Sequence, residues 1–180
     1  MPDFYRLTAR PTVVITTASH RGVTNAAPFS FNSPMASRPI PLYGFCCETI
    51  HDTWTNIRAN GEFVVNLVGA DFGPYMEVLE RHYPYEVSEL AECNLTEEPS
   101  KRIKPPRIAE AYGWIECKMK EYLEMSSRSV WVVGEVLMAD VKEGYFDGVV
   151  DVEKADPLLH VWGDSFATGL RSRKFRRSSG

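Results

Sequence analysis

Residues 51–67 constrain the fold of this 180-residue chain more than any other stretch, because they predict a short helix that passes directly into a strand. Asp52 is a residue type that favours a helix N-cap, and Gly61 predicts a left-handed exit from the helix. Residues 63–67 then alternate with period two and are rich in β-forming side chains, although Val64 makes both faces partly apolar. The segment therefore predicts a helix-to-strand unit.

The start of this helix is a candidate anion site, because the first backbone amides of a helix lack partners and lie at the positive end of its dipole. Thr53 adds a hydroxyl donor, and His51 adds another donor when it is protonated. A capped surface helix that only connects two strands explains the same segment. Both alternatives are open at this point.

Strands are also predicted before this unit. Residues 12–17 form a β-branched run typical of a buried strand, and residues 18–22 predict a turn into a second arm at 23–34. The second arm carries two prolines and several small residues, which indicates an edge or a bulge that a ligand could approach closely. Residues 42–47 predict a third strand that ends just before the helix.

The middle of the chain is less regular. Short helices are predicted at residues 74–81 and 87–93. Residues 82–108 contain several prolines and many acids, and they predict a long excursion over the body of the protein or over a neighbouring subunit.

Regular strands return after the excursion. In residues 114–124 apolar and charged side chains nearly alternate, which predicts a strand with one wet face. Residues 130–141 predict a second strand, paired with the first as a hairpin and bent or bulged at Gly134, and residues 149–152 predict a short third one. Six or seven strands with few helices favour a mainly β fold, a closed or nearly closed antiparallel barrel without exposed edges.

Composition limits the class of protein. A chain of 180 residues with 44% hydrophobic and 24% charged residues predicts one soluble domain, here residues 1–170. No stretch has the roughly 18 to 20 apolar residues of a membrane span, so no membrane contact and a cytoplasmic location are predicted. The four cysteines are interpreted as thiols, and the four histidines show no metal-ligand spacing, so no metal is expected.

Charge argues against nucleic acid as a partner. The net charge is −4, and the five basic residues of 171–180, which meet no acid there, leave −9 for the remainder of the chain. A body of that charge repels nucleic acid. Residues 171–180 are predicted to be a basic, flexible tail.

Three motifs resemble, in their order and spacing, those of the flavin reductase-like FMN-binding split-barrel family, which includes flavoredoxin-type proteins. They are residues 10–17, residues 22–31 and residues 51–67. Residues 130–141 and 158–169 resemble the later strand and closing segment of that family. The resemblance implies an antiparallel, Greek-key-like split β-barrel that forms a homodimer with FMN near the subunit interface.

The resemblance also implies a set of cofactor contacts. The isoalloxazine ring and ribityl chain would be bordered by Asn25, Ala26, Ala27, Pro28, Ser30, Phe31, Asn32 and Ser33. Cys47, Glu48 and Thr49 would run along the ribityl and phosphate side, while His51, Thr53 and the helix amides would hold the phosphate. Many family members carry Lys or Arg where this chain has His51, so Arg58 is a candidate to supply the missing charge.

Other site residues have alternative roles. Asn66 is either a buried amide bonded to backbone or a ligand contact. His160 is the candidate catalytic residue, because family members often place a basic or imidazole side chain near the closing segment, facing the nicotinamide. Phe166 stands where an aromatic hydroxyl is common in the family, and packing is the role expected for it.

The function that the resemblance implies is hydride transfer from NADH or NADPH to N5 of FMN. Free flavin, a monooxygenase partner or another electron-transfer protein would then receive the electrons. The alternative is a flavoredoxin-like FMN electron carrier that does not use nicotinamide directly. The two differ in whether the face above the ring is open or is covered by residues 72–108, the full extent of the excursion.

Overall fold

The structure is a computed structural model that describes residues 3–175, and antiparallel strands dominate it. The strands are β1 (Arg10–Pro11), β2 (Val13–Ala18), β3 (Thr24–Phe29), β4 (Asn32–Ala36), β5 (Leu42–Glu48), β6 (Glu62–Leu67), β7 (Glu97–Glu98), β8 (Arg107–Ile108), β9 (Gly113–Glu124), β10 (Ser129–Val141), β11 (Phe146–Asp147), β12 (Val149–Val150), β13 (Leu159–Trp162) and β14 (Ser165–Ala167). The α-helices are α1 (Asp52–Asn60), α2 (Met76–Leu79), α3 (Glu89–Cys93) and α4 (Val152–Ala155), with 3-10 helices at Phe4–Leu7 and Ala70–Tyr75. Within residues 3–175, no helix has the length and apolar character needed to cross a membrane.

The main sheet has seven strands in the order β3-β2-β6-β9-β10-β5-β4. Its end strands, β3 and β4, are separated in sequence by only Ser30 and Phe31. A two-residue connection can join opposite ends of the sheet only if the sheet curls until those ends meet, which makes a barrel. In the described residues β3 and β4 form no ladder with each other, so the barrel is open between them.

The predicted second arm at residues 23–34 is therefore not one strand, and that prediction was wrong. It divides into β3 and β4 at Ser30 and Phe31, where the chain changes direction. The carbonyl of Phe31 accepts a hydrogen bond of 2.8 Å from the amide of Cys46, which attaches the corner to β5. The prolines that suggested an edge lie in these two end strands.

Two apolar layers explain why β2 and β6 are buried on both faces. Inside the barrel pack Ile15, Phe45, Phe63, Val65, Cys117 and Val132. On the outer face, Val14 and Val64 pack against Leu79, Leu90 and Ile108 of the excursion. The excursion therefore covers its own barrel, which is one of the two positions predicted for it.

A buried ion pair joins the excursion to the barrel and corrects the predicted wet face of β9 at Glu116, whereas Lys118 and Lys120 of the same strand are exposed as predicted. Glu116 is 0% exposed, and its Oε1 accepts a 2.7 Å hydrogen bond from Nε of Arg107, which is 1% exposed. Nη2 of Arg107 lies 2.7 Å from the same oxygen without a well-aligned hydrogen bond. The alternation in β9 predicted that the Glu116 side chain faces solvent, but it contacts a buried arginine instead.

Helix α1 confirms the predicted exit and corrects the predicted start. Gly61 has φ of 73°, and its amide donates to the carbonyl of Ile57 at 2.8 Å. His51 occupies the N-cap position, whereas Asp52 is the first helical residue, and neither side chain caps the helix.

Gly134 confirms the predicted bulge, because the pairing of β9 with β10 shifts register between Val133 and Gly134. A Cβ atom at Gly134 would lie 2.5 Å from Cζ of Phe63 and 2.9 Å from Cβ of Cys117. We expect Gly134→Ala to lower the free energy of unfolding by about 1–3 kcal/mol through overpacking of the barrel interior. Urea denaturation measures this, and Gly73→Ala is the matched control because nothing lies within 4 Å of its Cβ position.

The structure describes only the first part of the basic tail. Residues 171–175 are exposed and form no regular structure, and residues 176–180 lie outside the described residues. The predicted flexibility of the tail stays a prediction.

Candidate functional site

A cavity of about 300 Å³ lies where β3, the start of α1 and residues 79–83 meet. This volume is at the lower end of the range for small-molecule sites, roughly 300–1,000 Å³. The predicted cofactor-binding residues that line it are Asn25, Ala27, Pro28, His51 and Thr53. The structure therefore brings the second and third sequence motifs together around one space.

The start of α1 presents backbone donors to this cavity. The amides of Trp54 and Thr55 both donate to the carbonyl of His51, at 3.0 and 3.2 Å. The amides of Asp52 and Thr53 have no acceptor among residues 3–175, as expected for the first turn of a helix. Two amide donors are thus available at the cavity wall.

The hydroxyl of Thr53 is already committed within the protein. It donates to Oδ1 of Asn25 at 2.9 Å, and Thr17 donates to the same oxygen at 3.2 Å. The amide nitrogen of Asn25 donates in turn to Oε1 of Glu89 at 3.0 Å. Thr53 would have to give up its bond to Asn25 before it could donate to a phosphate.

Glu89, at the start of α3, fixes β3 from the side of the excursion. Its Oε2 accepts a 2.8 Å hydrogen bond from the backbone amide of Ala26, and the residue is 6% exposed. Burial raises the pKa of the Glu89 carboxyl, and the bonds from Ala26 and Asn25 oppose that shift. A second anchor is Tyr85, whose hydroxyl donates to Oδ1 of Asn56 at 2.5 Å.

His51 is a weak candidate for a positive charge. Burial lowers the pKa of its imidazole below the usual value, and the nearby carboxylate of Glu48 only partly opposes this. The ring is therefore uncharged at neutral pH, and it can offer one N–H to a ligand but little electrostatic attraction.

Thr49 and Arg58 lie on the other side of α1. Both line a separate cavity of about 720 Å³, together with Trp54 and Tyr122. The guanidinium carbon of Arg58 is 5.8 Å from the centroid of the Trp54 ring. Arg58 does not line the cavity with His51, so the structure does not support the expectation that it supplies charge there.

His160 meets Ser30 at the corner between β3 and β4. Its Nδ1 lies 3.2 Å from the hydroxyl of Ser30 and 3.3 Å from Nη2 of Arg10, and its Nε2 lies 3.2 Å from the carbonyl of Gly163. These partners fit a neutral ring with the proton on Nε2. The predicted catalytic residue and a predicted ring contact therefore share one hydrogen-bonded group.

The second cavity of this site, of about 590 Å³, adjoins the first one. It shares Glu80 and Arg81 with the first cavity and extends to Gly163 and Phe166. The Phe166 ring packs on His160, with 5.1 Å between ring centroids, which agrees with the packing role expected for it. The two cavities adjoin each other and are together called the cleft, and Phe166 places the second of them beside His160.

Some predicted site residues lie in the core. Asn66 is fully buried, donates to the carbonyl of Val14 at 2.9 Å, and accepts from the amide of Ile108 at 2.8 Å. Of its two alternatives, these bonds match the structural one. Ala26 and Cys47 are also buried, and burial raises the pKa of the Cys47 thiol to about 12.

The remaining predicted residues lie at the rims of the barrel. Asn32 donates to the carbonyls of Pro11 and Phe29, and its Oδ1 accepts from the hydroxyl of Tyr43. Phe31 and Ser33 are exposed beside it. Glu48 does not line the cavity that contains His51, and its carboxylate lies 3.5 Å from Arg128.

Sequence reasoning missed several residues of the cleft. They are Arg81, His82 and Glu89, together with Arg10, which contacts His160 beside the cleft. Arg10 belongs to a quoted motif, which was a usable signal. The other three belong to the excursion, where no periodicity or spacing points to the barrel.

Comparisons with known proteins agree on one family. The sequence model described as the flavin reductase like domain matches residues 4–167. A relative from Methanothermobacter thermautotrophicus is 34% identical over 86% of this chain and 75% of its own length.

Solved structures show the same fold. Nitrilotriacetate monooxygenase component B from Bacillus cereus has a TM-score of 0.86 and 25% identity, over 97% of this chain and 93% of that one. The 2-nitrobenzoate 2-nitroreductase of Pseudomonas fluorescens has a TM-score of 0.81 and 27% identity, over 95% and 88%. A protein with a split barrel domain from Shewanella frigidimarina has a TM-score of 0.88 and 20% identity, over 96% and 88%. The predicted antiparallel split barrel is confirmed.

Proposed function

Because the chain belongs to the flavin reductase like domain family, we propose that it binds FMN in the cleft between β3 and α1 and reduces it with NADH or NADPH. The observation that carries this proposal is the convergence of the β3 motif and the start of α1 on one cavity.

The residues present fit a flavin phosphate ester. The amides of Asp52 and Thr53 offer two donors for the phosphate at the positive end of the helix dipole. Ala27 and Pro28 have small side chains that project little into the cavity, so the narrow ribityl chain can lie against β3. Small side chains and free amides are together what such a ligand requires.

When bound, FMN supplies an isoalloxazine ring that accepts hydride at N5 and passes electrons to an acceptor. The role proposed for the protein is to bind the flavin and the nicotinamide and to orient them toward each other. The hydroxyl of Ser30 and the backbone of β3 are proposed to bond the polar edge of the ring, and His160 holds that hydroxyl from behind. His160 is itself proposed to border the nicotinamide, next to the second cavity.

The second cavity favours the reductase over the electron carrier. The excursion lines the cleft with Leu79–Tyr83 and Glu89, but about 590 Å³ of space adjoins it near Gly163 and Phe166. That space leaves room for a nicotinamide next to Phe166, whose ring packs on His160. An electron carrier would not need it.

A homodimer and an electron-accepting partner complete the proposal. Exposed apolar side chains near the cleft, including Phe31, Met35 and Trp162, suit a surface that a second copy covers. The similarity to a monooxygenase component supports a monooxygenase or free flavin as the acceptor of electrons. A cytoplasmic location stays a prediction.

Anaerobic addition of NADH or NADPH to the FMN-loaded protein is expected to bleach the flavin absorbance band. His160→Asn should slow the bleaching by on the order of tenfold, because Ser30 loses its fixed partner and the imidazole beside the nicotinamide is removed. Stopped-flow absorbance measures the rate. A protein that binds FMN but is bleached by neither nucleotide would be the electron carrier, and one that binds no FMN at micromolar concentration would reject both functions.

A further inference from the structure

Binding of the FMN phosphate in this cleft requires a positive charge, and the start of α1 does not provide one. Carboxylates of Asp52, Glu80 and Glu89 line the same cavity, and a phosphate dianion placed there meets their repulsion. Each carboxylate oxygen of Glu89 accepts a hydrogen bond, one from Asn25 and one from the amide of Ala26, which partly offsets its charge. The other two acids have no such pair of donors among the described residues.

The candidates on the α1 side do not meet this need. The Thr53 hydroxyl donates to Asn25, and burial lowers the pKa of His51, which leaves its ring uncharged at neutral pH. Arg58 lines the cavity on the far side of the helix. Backbone amides alone then oppose the acids of the wall.

The opposite wall carries the missing cation. Arg81 follows α2 and is the one arginine or lysine among the described residues that line this cavity. Its Nη2 lies 2.5 Å from Oε1 of Glu77, four residues earlier, and the two side chains are 54% and 81% exposed. An ion pair so exposed is weak, so Arg81 can exchange Glu77 for a ligand at little cost.

We infer that Arg81 recognises the phosphate of FMN across the cavity from the start of α1. The inference rests on the proposed function, since it assigns a contact within the same site. A guanidinium suits this role because it binds phosphate through two parallel hydrogen bonds. In this chain the excursion therefore supplies the charge that His51 lacks.

The test compares FMN with riboflavin, which has the same ring and ribityl chain but no phosphate. Flavin fluorescence titrations measure Kd for both ligands with the wild-type protein, Arg81→Gln and Arg58→Gln. We expect Arg81→Gln to raise the Kd for FMN about tenfold and to leave the Kd for riboflavin unchanged. Arg58→Gln, the matched control, should change neither.

Two results would overturn the inference in different ways. If Arg81→Gln changes the Kd for both ligands equally, or changes neither, Arg81 does not contact the phosphate and the inference is rejected. FMN binding by the wild-type protein would still support the proposed site. A wild-type protein that binds neither ligand rejects the proposed function and the inference with it. Circular dichroism confirms folding, which an exposed Gln at this position should not disturb.

Discussion

Arg107→Met is expected to lower the free energy of unfolding by about 3–5 kcal/mol, because it leaves the carboxylate of Glu116 buried without its charged partner. Glu116 would keep the amides of Lys101 and Arg102, which donate to its two oxygens at 2.8 and 2.7 Å. Those bonds do not supply a positive charge. Arg107 also lies 3.1 Å from Asp140 on β10, so its loss removes contacts of the excursion with two strands at once.

Urea denaturation of the purified variant measures this loss, with Arg6→Met as the matched control. Arg6 pairs with Asp3 at 3.1 Å, and both side chains are about half exposed, so its replacement should change stability by no more than about 1 kcal/mol. A loss below about 1 kcal/mol for Arg107→Met would contradict the view that this ion pair anchors the excursion. The double variant Arg107→Met, Glu116→Met should recover only part of the loss, since the amides of Lys101 and Arg102 would then lack acceptors.

The same ion pair shows where sequence patterns stop being informative. Alternation in β9 located the strand correctly, because pairing of neighbouring strands depends on local periodicity. It could not tell that Glu116 faces Arg107 instead of water. That fact depends on how the end of the excursion folds back over the barrel, and a contact made across a loop leaves no periodic signal.

The candidate site divides in the same way. The motifs predicted the wall formed by β3 and the start of α1, since both lie in short, regular elements. The facing wall, with Arg81 and Glu89, comes from residues 79–89, which form short helical turns and loops. The corner at Ser30 and Phe31 was missed for a related reason, because one strand and two strands with a sharp bend share the same run of β-forming residues.

Glu89→Ala is expected to lower the free energy of unfolding by about 2–4 kcal/mol, because the amides of Ala26 and Asn25 would lose their acceptors. Without those bonds Asn25 and the backbone of β3 beside the cavity lose their fixed position, so flavin binding should weaken too. The weakening should be smaller for FMN than for riboflavin, since Glu89→Ala also removes a negative charge that repels the phosphate, which is the opposite of the pattern expected for Arg81→Gln. Urea denaturation and fluorescence titration measure the two effects.

Glu86→Ala is the matched control for Glu89→Ala. Glu86 lies three residues earlier, is 62% exposed and faces Arg21 at 3.8 Å, so its loss should change stability by no more than about 0.5 kcal/mol. Glu89→Gln separates charge from hydrogen bonding, because glutamine keeps one acceptor but presents a donor to the second amide, and it should lie between alanine and the wild type. If Glu89→Ala unfolded at the same urea concentration as Glu86→Ala, the carboxylate would not be fastening the excursion to β3, and the coupling of that segment to the flavin cleft would have to be abandoned.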